Sequence, residues 1–144
     1  MIKIEFLLYN FSNIKITQQD LLKQYTTKII NTIIPLLNPN IKQVSLAVVM
    51  LNLQDSYQLN KIWRKKRYVP VELSFANYSQ QYLKKIKESS IILGDIILTP
   101  ELLQTSQDYK TALIHSLLHL LGYNHNTQAN YKKMQKWEKS FLKN

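Results

Sequence analysis

The three histidines of this 144-residue chain all fall in one stretch, His115-Ser116-Leu117-Leu118-His119-Leu120-Leu121-Gly122-Tyr123-Asn124-His125. His115 and His119 are four residues apart, so on a helix they share a face and can aim two imidazoles at one ion. Gly122 follows three residues later, where a helix commonly ends and where the left-handed conformation costs glycine nothing. A reversal there would bring His125 back to the same ion. Three neutral nitrogen ligands leave a fourth tetrahedral position for water, the layout of a catalytic zinc site. The chain has no cysteine and no fourth histidine, and no carboxylate lies close by in sequence, so a closed structural site is the less simple reading. A histidine pair at helical spacing also occurs in cores, satisfied by backbone carbonyls. The third histidine and the glycine are what make this pair a ligand set for one Zn2+.

The ligand and glycine spacing also fits the metalloprotease pattern His-Glu-x-x-His-x-x-Gly-x-x-His, in which the Glu is the general base. Here that position is Ser116. A serine hydroxyl is far too weak a base to take a proton near neutral pH, so the metal cage is retained without the peptidase chemistry.

The stretch more closely resembles the signature of the YbeY family of single-strand-specific, metal-dependent endoribonucleases, His-Gly-x-Leu-His-Leu-x-Gly-Tyr-Asp-His. His115, Leu118, His119, Leu120, Gly122, Tyr123 and His125 match it. Upstream, Leu59-Asn60-Lys61-Ile62-Trp63-Arg64 is similar to the family's Leu-Asn-x-x-Tyr-Arg, Leu73-Ser74-Phe75 to its Leu-Ser-Phe, and Leu93-Gly94-Asp95-Ile96 to its Leu-Gly-Asp-Ile. The resemblance implies a single-strand-specific ribonuclease of small-subunit ribosomal RNA 3′-end maturation and ribosome quality control, with the small ribosomal subunit as partner. It gives His115 and His119 catalytic as well as metal-binding roles and identifies Arg64 as the functional arginine. A guanidinium can hold two phosphate oxygens at once, so Arg64 is expected to position the scissile phosphate and offset charge accumulating on it.

Three positions depart from the pattern. Ser116 replaces a Gly, and Asn124 replaces the Asp beside the third ligand, keeping a hydrogen-bonding group while losing its charge. The family's Pro-Thr-Asp/Asn-Val reads Val69-Pro70-Val71-Glu72, which puts Val71 at the polar position. Strand alternation then turns Glu72 to the other face unless a bulge shifts the register. Two rival functions remain open: a catalytically weak, zinc-stabilised ribosome-assembly factor, which Val71 and Asn124 favour, and a zinc hydrolase of another substrate with its base supplied from elsewhere.

Charge favours a polyanionic partner. Nineteen Lys and Arg against nine Asp and Glu give a net charge of +10, a field that attracts RNA. Five cations lie in residues 61–67, among them Arg64, Lys65, Lys66 and Arg67, which are expected to contact single-stranded RNA. Lys84, Lys85 and Lys87 form a second group, and Lys132, Lys133, Lys136, Lys139 and Lys143 a third. Trp63, Tyr68, Tyr78, Tyr82, Tyr131 and Trp137 lie among them and could stack unpaired bases. The chain is also rich in Lys, Asn and Ile throughout, so part of the charge can be compositional bias on solvated faces.

Residues 1–144 are long enough for one domain that buries roughly 68–70% of its unfolded surface. No apolar run approaches the roughly 20 residues that cross a bilayer, and Met1–Phe11 lacks a charged start and a cleavage site, so a cytoplasmic protein is expected. The oligomeric state is open. Patterning predicts an α+β fold in which a mixed four-stranded sheet packs with about five helices, the histidine helix central. Strands are expected over Ile2–Tyr9, Val44–Leu51, Leu73–Tyr78 and Ile91–Leu98. Helices are expected over Thr17–Leu37, with Thr17 as cap, Gln54–Lys65, Asp108–Leu121, and from a Thr127 cap to Leu142. Thr99-Pro100-Glu101 reads as a helix start and Ser79–Ser90 as a polar, mobile connection. Gly94 suggests a bulge. Asp95 suits an acceptor for a ligand imidazole, a substrate contact or a backbone hydrogen bond equally well.

Overall fold

A computed structural model describes residues 1–143. Strand β2 (Gln43–Met50) alternates strictly, with Val44, Leu46, Val48 and Met50 turned into the core. β1 (Lys3–Asn10) and β4 (Ser90–Leu98) pair with it in parallel, and β3 (Glu72–Ala76) adds an antiparallel edge, giving the order β1-β2-β4-β3. This is the expected mixed four-stranded sheet, accompanied among the described residues by five helices and one 3-10 turn.

Helix α1 (Gln19–Leu37) makes the crossover between β1 and β2 and buries Leu22, Tyr25, Ile29, Ile30, Ile33 and Ile34 along one stripe. Its first turn begins after Gln18, with no side-chain cap, so Thr17 does not cap it. α4 (Ser106–Leu120) packs against α1, α5 (Gln128–Leu142), β3 and β4. Leu113, Ile114, Leu117, Leu118 and Leu120 are fully buried and hold that helix rigidly.

Three local expectations are corrected. Thr99-Pro100-Glu101 opens only a 3-10 turn, Pro100–Leu102. The Thr99 hydroxyl donates instead to the Pro70 carbonyl at 2.6 Å, tying the end of β4 to the entry of β3. Ser79–Ser90 is not a loose connection but contains α3 (Gln80–Lys85), capped by Ser79. Leu83 and Ile86, three residues apart, bury themselves in this otherwise polar stretch, and Asn38 Nδ2 donates to both their carbonyls at 2.8 Å. The histidine helix begins at Ser106, ahead of Asp108, because Thr105 and Asp108 form a capping box.

In that box Thr105 Oγ1 accepts from the Asp108 N–H at 3.1 Å, and Asp108 Oδ2 accepts from the N–H groups of Thr105 at 3.1 Å and Gln104 at 2.9 Å. These backbone donors hold the Asp108 carboxyl below its ordinary pKa. A carboxylate whose pKa falls on folding stabilises fully above its unfolded value, about 4, and the contribution fades as pH drops through the folded value. Urea midpoints at pH 6 and pH 3 should therefore differ less in Asp108→Asn than in the parent chain. Thr105→Ala should cost about 1 kcal/mol at pH 7.

β4 carries the expected bulge. Ser45 pairs with Ile92 while Leu46 pairs with Gly94, which leaves Leu93 as the extra residue. Gly94 has φ +147°, and a Cβ there would run into the Phe75 carbonyl.

Candidate metal centre

α4 carries His115 and His119 on one face, and their Nε2 atoms lie 3.0 Å apart. The helix ends in a Schellman motif: the Tyr123 N–H donates to the Leu118 carbonyl and the Gly122 N–H to the His119 carbonyl, each at 3.0 Å. Gly122 has φ +88° and lies so tightly on α3 that a Cβ would sit 2.5 Å from Gln80 Cβ. The reversal delivers His125, whose ring centroid is 5.3 Å from that of His119 and 5.9 Å from that of His115. One donor nitrogen from each of the three lies within 4.8 Å of the others, so the three can hold a metal ion.

Two further contacts fix the ligand nitrogens. His115 Nδ1 lies 3.1 Å from Glu138 Oε2, and His119 Nδ1 lies 3.0 Å from the Tyr123 carbonyl. Both partners are acceptors, so each Nδ1 donates and the two Nε2 atoms are left facing each other. Their 3.0 Å separation is close to that of two nitrogens held by one metal ion. Tetrahedral zinc with nitrogens at about 2.0–2.1 Å separates its ligands by roughly 3.3 Å. Donor set, spacing and tautomers therefore fit a metal. Desolvation, then the neighbouring His115, lowers the pKa of His119, which favours the neutral ring that coordination requires.

Asn124 holds the loop. Its Oδ1 accepts from the Asn126 N–H at 3.2 Å and from Asn130 Nδ2 at 3.0 Å, fastening the His125 segment to α5. The carboxylate that orients a ligand imidazole is instead Glu138, which the sequence reading missed. A signal was present: Glu138 lies four residues after buried Met134 and three before buried Phe141, an acid beside the apolar stripe of an amphipathic helix. Orienting partners of this kind are worth roughly 10–100-fold in metal affinity. Competition titration with a chelating dye should show Glu138→Gln weakened by about that factor while stoichiometry stays unchanged.

The histidines open onto a cleft of about 730 Å3 whose lining includes Arg64, Glu72, Ser74, Gln80 and Tyr123. Glu72 corrects the strand expectation. β3 pairs with β4 in unbroken register, and Ser74 donates its hydroxyl to the Ser116 carbonyl at 3.1 Å. Alternation from Ser74 turns Glu72 toward α4 without any bulge, while Val71 lies outside this cleft. Burial raises the pKa of Glu72, and the nearby charges of His115 and Arg64 oppose that shift.

The other predicted residues divide. Arg64 reaches the cleft from the end of α2 (Leu53–Arg64). Lys65 and Arg67 line a separate depression of about 350 Å3 with Lys61 and Ile62. Lys65 ends α2 at φ 58° and donates its Nζ to the Ile62 carbonyl at 3.1 Å, so part of its role is to cap that helix. Lys66 is exposed, and its N–H donates to the Asn60 carbonyl at 3.4 Å. Asn60 Nδ2 also donates to the Tyr68 carbonyl at 2.9 Å, so buried Asn60 folds the basic segment back on itself. Asp95 is exposed on the sheet face away from α4, paired with Phe75, and joins neither histidine nor cleft. Trp63 and Tyr82 are exposed, Trp63 edge-on to Phe75 at 6.2 Å and Tyr82 stacked on Tyr78 at 5.6 Å. Trp137 is half-buried against Phe141. Among the described residues no helix is long and apolar enough to cross a membrane.

Fold and site together define an α+β protein with a three-histidine centre, two on one helix and one on the following loop, able to hold a metal ion and open to a cleft with an arginine and a carboxylate on its wall. The model of the family described as Endoribonuclease YbeY matches residues 9–144, and the chain belongs to that family. Relatives named Endoribonuclease YbeY include one from Prochlorococcus marinus (strain MIT 9312), 31% identical over 70% of this chain and 60% of its own length. Another, from Thermodesulfovibrio yellowstonii, is 33% identical over 69% of this chain and 65% of its own. These two alignments thus span less than two thirds of the relatives they match. A third, from Spiroplasma citri, is 26% identical over 97% of this chain and 92% of its own length. The solution structure of TM1509 from Thermotoga maritima has the same fold, with a TM-score of 0.54 at 22% identity over 99% of this chain and 87% of that one.

Proposed function

We propose that residues 1–144 form one YbeY-like domain that acts as a zinc-dependent, single-strand-specific endoribonuclease. Its substrate on this reading is the 3′ end of small-subunit ribosomal RNA, its partner the small ribosomal subunit, its role maturation and quality control, and its compartment the cytoplasm. The observation that carries the reading is the convergence of three imidazoles and Arg64 on one cleft. The names of the relatives and the +10 net charge support it.

His115, His119 and His125 would hold the ion, Glu138 and the Tyr123 carbonyl fixing the first two. A bound Zn2+ supplies Lewis acidity at a phosphoryl oxygen and lowers the pKa of water toward about 7. Arg64 grips the phosphate through paired N–H donors. Lys65, Lys66 and Arg67 supply the field that draws the strand in, while exposed Trp63 and Tyr82 offer rings to unpaired bases. A duplex presents neither free base faces nor a flexible backbone, which is why single strands are the substrate.

The test is cleavage of a single-stranded RNA carrying the small-subunit 3′ end, with the same sequence annealed to its complement beside it. Metal-dependent cutting of the single strand alone is the expected result. Products ending in a 2′,3′-cyclic phosphate would identify the ribose hydroxyl as nucleophile; ends without it would identify water. RNA binding without any cutting, metal content being full, would instead establish a zinc-stabilised assembly factor.

A further inference from the structure

We propose that Glu72 is the proton acceptor of the cleavage step, an assignment that rests on the ribonuclease reading above. Two carboxylates approach the histidine centre. Glu138 is occupied, bonded to His115 Nδ1 at 3.1 Å. Glu72 is half-buried and lines the cleft, yet its carboxylate has no hydrogen-bond or ion-pair partner among the described residues. It also stands outside the group whose donor atoms lie within 4.8 Å of one another, so it is not part of the ligand set.

A purely structural acid at a half-buried position commonly carries a hydrogen bond or salt bridge, and Glu72 carries neither among the described residues. Its position is fixed from two sides. The pairing of Glu72 with Leu98 sets the backbone, and the Ser74 bond to Ser116 locks β3 onto α4 one residue beyond His115. Its charged neighbours are His115 and Arg64, with Glu138 acting in the opposite direction, and Glu72, Arg64 and His115 line the same cleft. The cleft's other polar side chains include Ser74, Ser79, Gln80, Asn124 and Asn130, whose hydroxyls and amides do not accept a proton near neutral pH. The ring nitrogens of His115 and His119 are engaged by Glu138, by the Tyr123 carbonyl and by each other. An imidazole that coordinates through one nitrogen carries its proton on the other, so His125 as a ligand offers no acceptor, and Glu72 is the carboxylate in the cleft lining.

The attacking hydroxyl, from water or the ribose 2′ position, gives its proton to a Glu72 oxygen while its lone pair forms the new bond to phosphorus. The bond from phosphorus to the leaving ribose oxygen breaks, and the electron pair stays on that oxygen, which takes a proton from solvent water. The Glu72 carboxylic acid then returns its proton to solvent and is ready again.

The experiment compares metal-loaded wild type, Glu72→Gln, Glu72→Asp and Glu72→Ala on the single-stranded RNA. Rates under saturating RNA, metal content, melting temperature and affinity for a 2′-deoxy analogue are all measured. Loss of a positioned general base costs about 10²–10⁴-fold, so kcat of Glu72→Gln should fall by that factor with full metal content. Its analogue affinity should be equal or tighter, because a negative charge beside the phosphate is gone. Glu72→Asp should keep part of the rate, and added formate should restore Glu72→Ala but not Glu72→Gln. Wild-type cleavage with Glu72→Gln within a few-fold of it overturns the assignment while leaving the ribonuclease reading intact. A fall in rate matched by lost metal or a lower melting temperature also overturns it, in favour of a structural role. If wild type does not cleave, both fall together.

Discussion

His119→Ala is expected to leave the protein folded but without stoichiometric metal, and to reduce RNA cleavage to background. His119 is the middle ligand: its Nε2 lies 3.0 Å from that of His115 and its ring is in edge contact with that of His125. Without it, His115 on α4 and exposed His125 on the loop remain, and two imidazoles do not form the three-ligand site that holds a catalytic ion. Losing a partner that merely orients a ligand costs about 10–100-fold in affinity or activity; losing the ligand itself should cost more, on the order of 10³-fold. The fold should survive, because the half-exposed ring faces the cleft while Leu117, Leu118 and Leu120 anchor the helix from its other sides. Metal content by mass spectrometry and cleavage by a parallel preparation check this. A variant that keeps one ion per chain and the parental rate would place the metal centre elsewhere.

Gly122→Ala should be strongly damaging although it adds a single methyl group. Its φ of +88° is strained for any L side chain, a cost of about 1–3 kcal/mol. The added Cβ would also lie 2.5 Å from Gln80 Cβ and 2.6 Å from the Gln80 amide nitrogen. Backbone cannot yield as a flexible side chain does, so overpacking adds about 1–3 kcal/mol more. Against a total stability of about 5–15 kcal/mol for an ordinary domain, that sum is a large share. Relief by rotating the turn would break the Tyr123 bond to the Leu118 carbonyl and carry His125 away from its two partners. Thermal melts with and without metal should therefore show two effects: a lower melting temperature in the metal-free protein, and a smaller gain on adding zinc. A variant that melts as the parent does and gains equally from zinc would mean that the turn does not position the third ligand.

The convergence of the three histidines was legible because each part of it is local. Four residues make a full helical step, so His115 and His119 had to share a face whatever the helix packed against, and Gly122 marked the turn that returns His125. Periodicity likewise gave the alternating strands and the amphipathic helices α1, α4 and α5. The misplaced starts were also local, where a stronger competing bond decided: the Thr105–Asp108 box moved the start of α4, and two buried apolar residues made a helix of α3.

What sequence could not supply was the identity of neighbours across the fold. Glu138 is 23 residues from His115 and meets it only because α5 packs against α4. Glu72 is turned inward because Ser74 is hydrogen-bonded to the backbone of α4; counting from Val71 gave the opposite face, since alternation fixes which residues share a side but not which side is the inner one. Lys65 turned back onto its own helix end, and Asp95 went to the far face of the sheet. The sequence by itself determined which atoms could bind a metal; the packing of β3 and α5 against α4 decided which carboxylates stand beside it, because contacts between distant segments are set by the burial of whole faces and not by spacing along the chain.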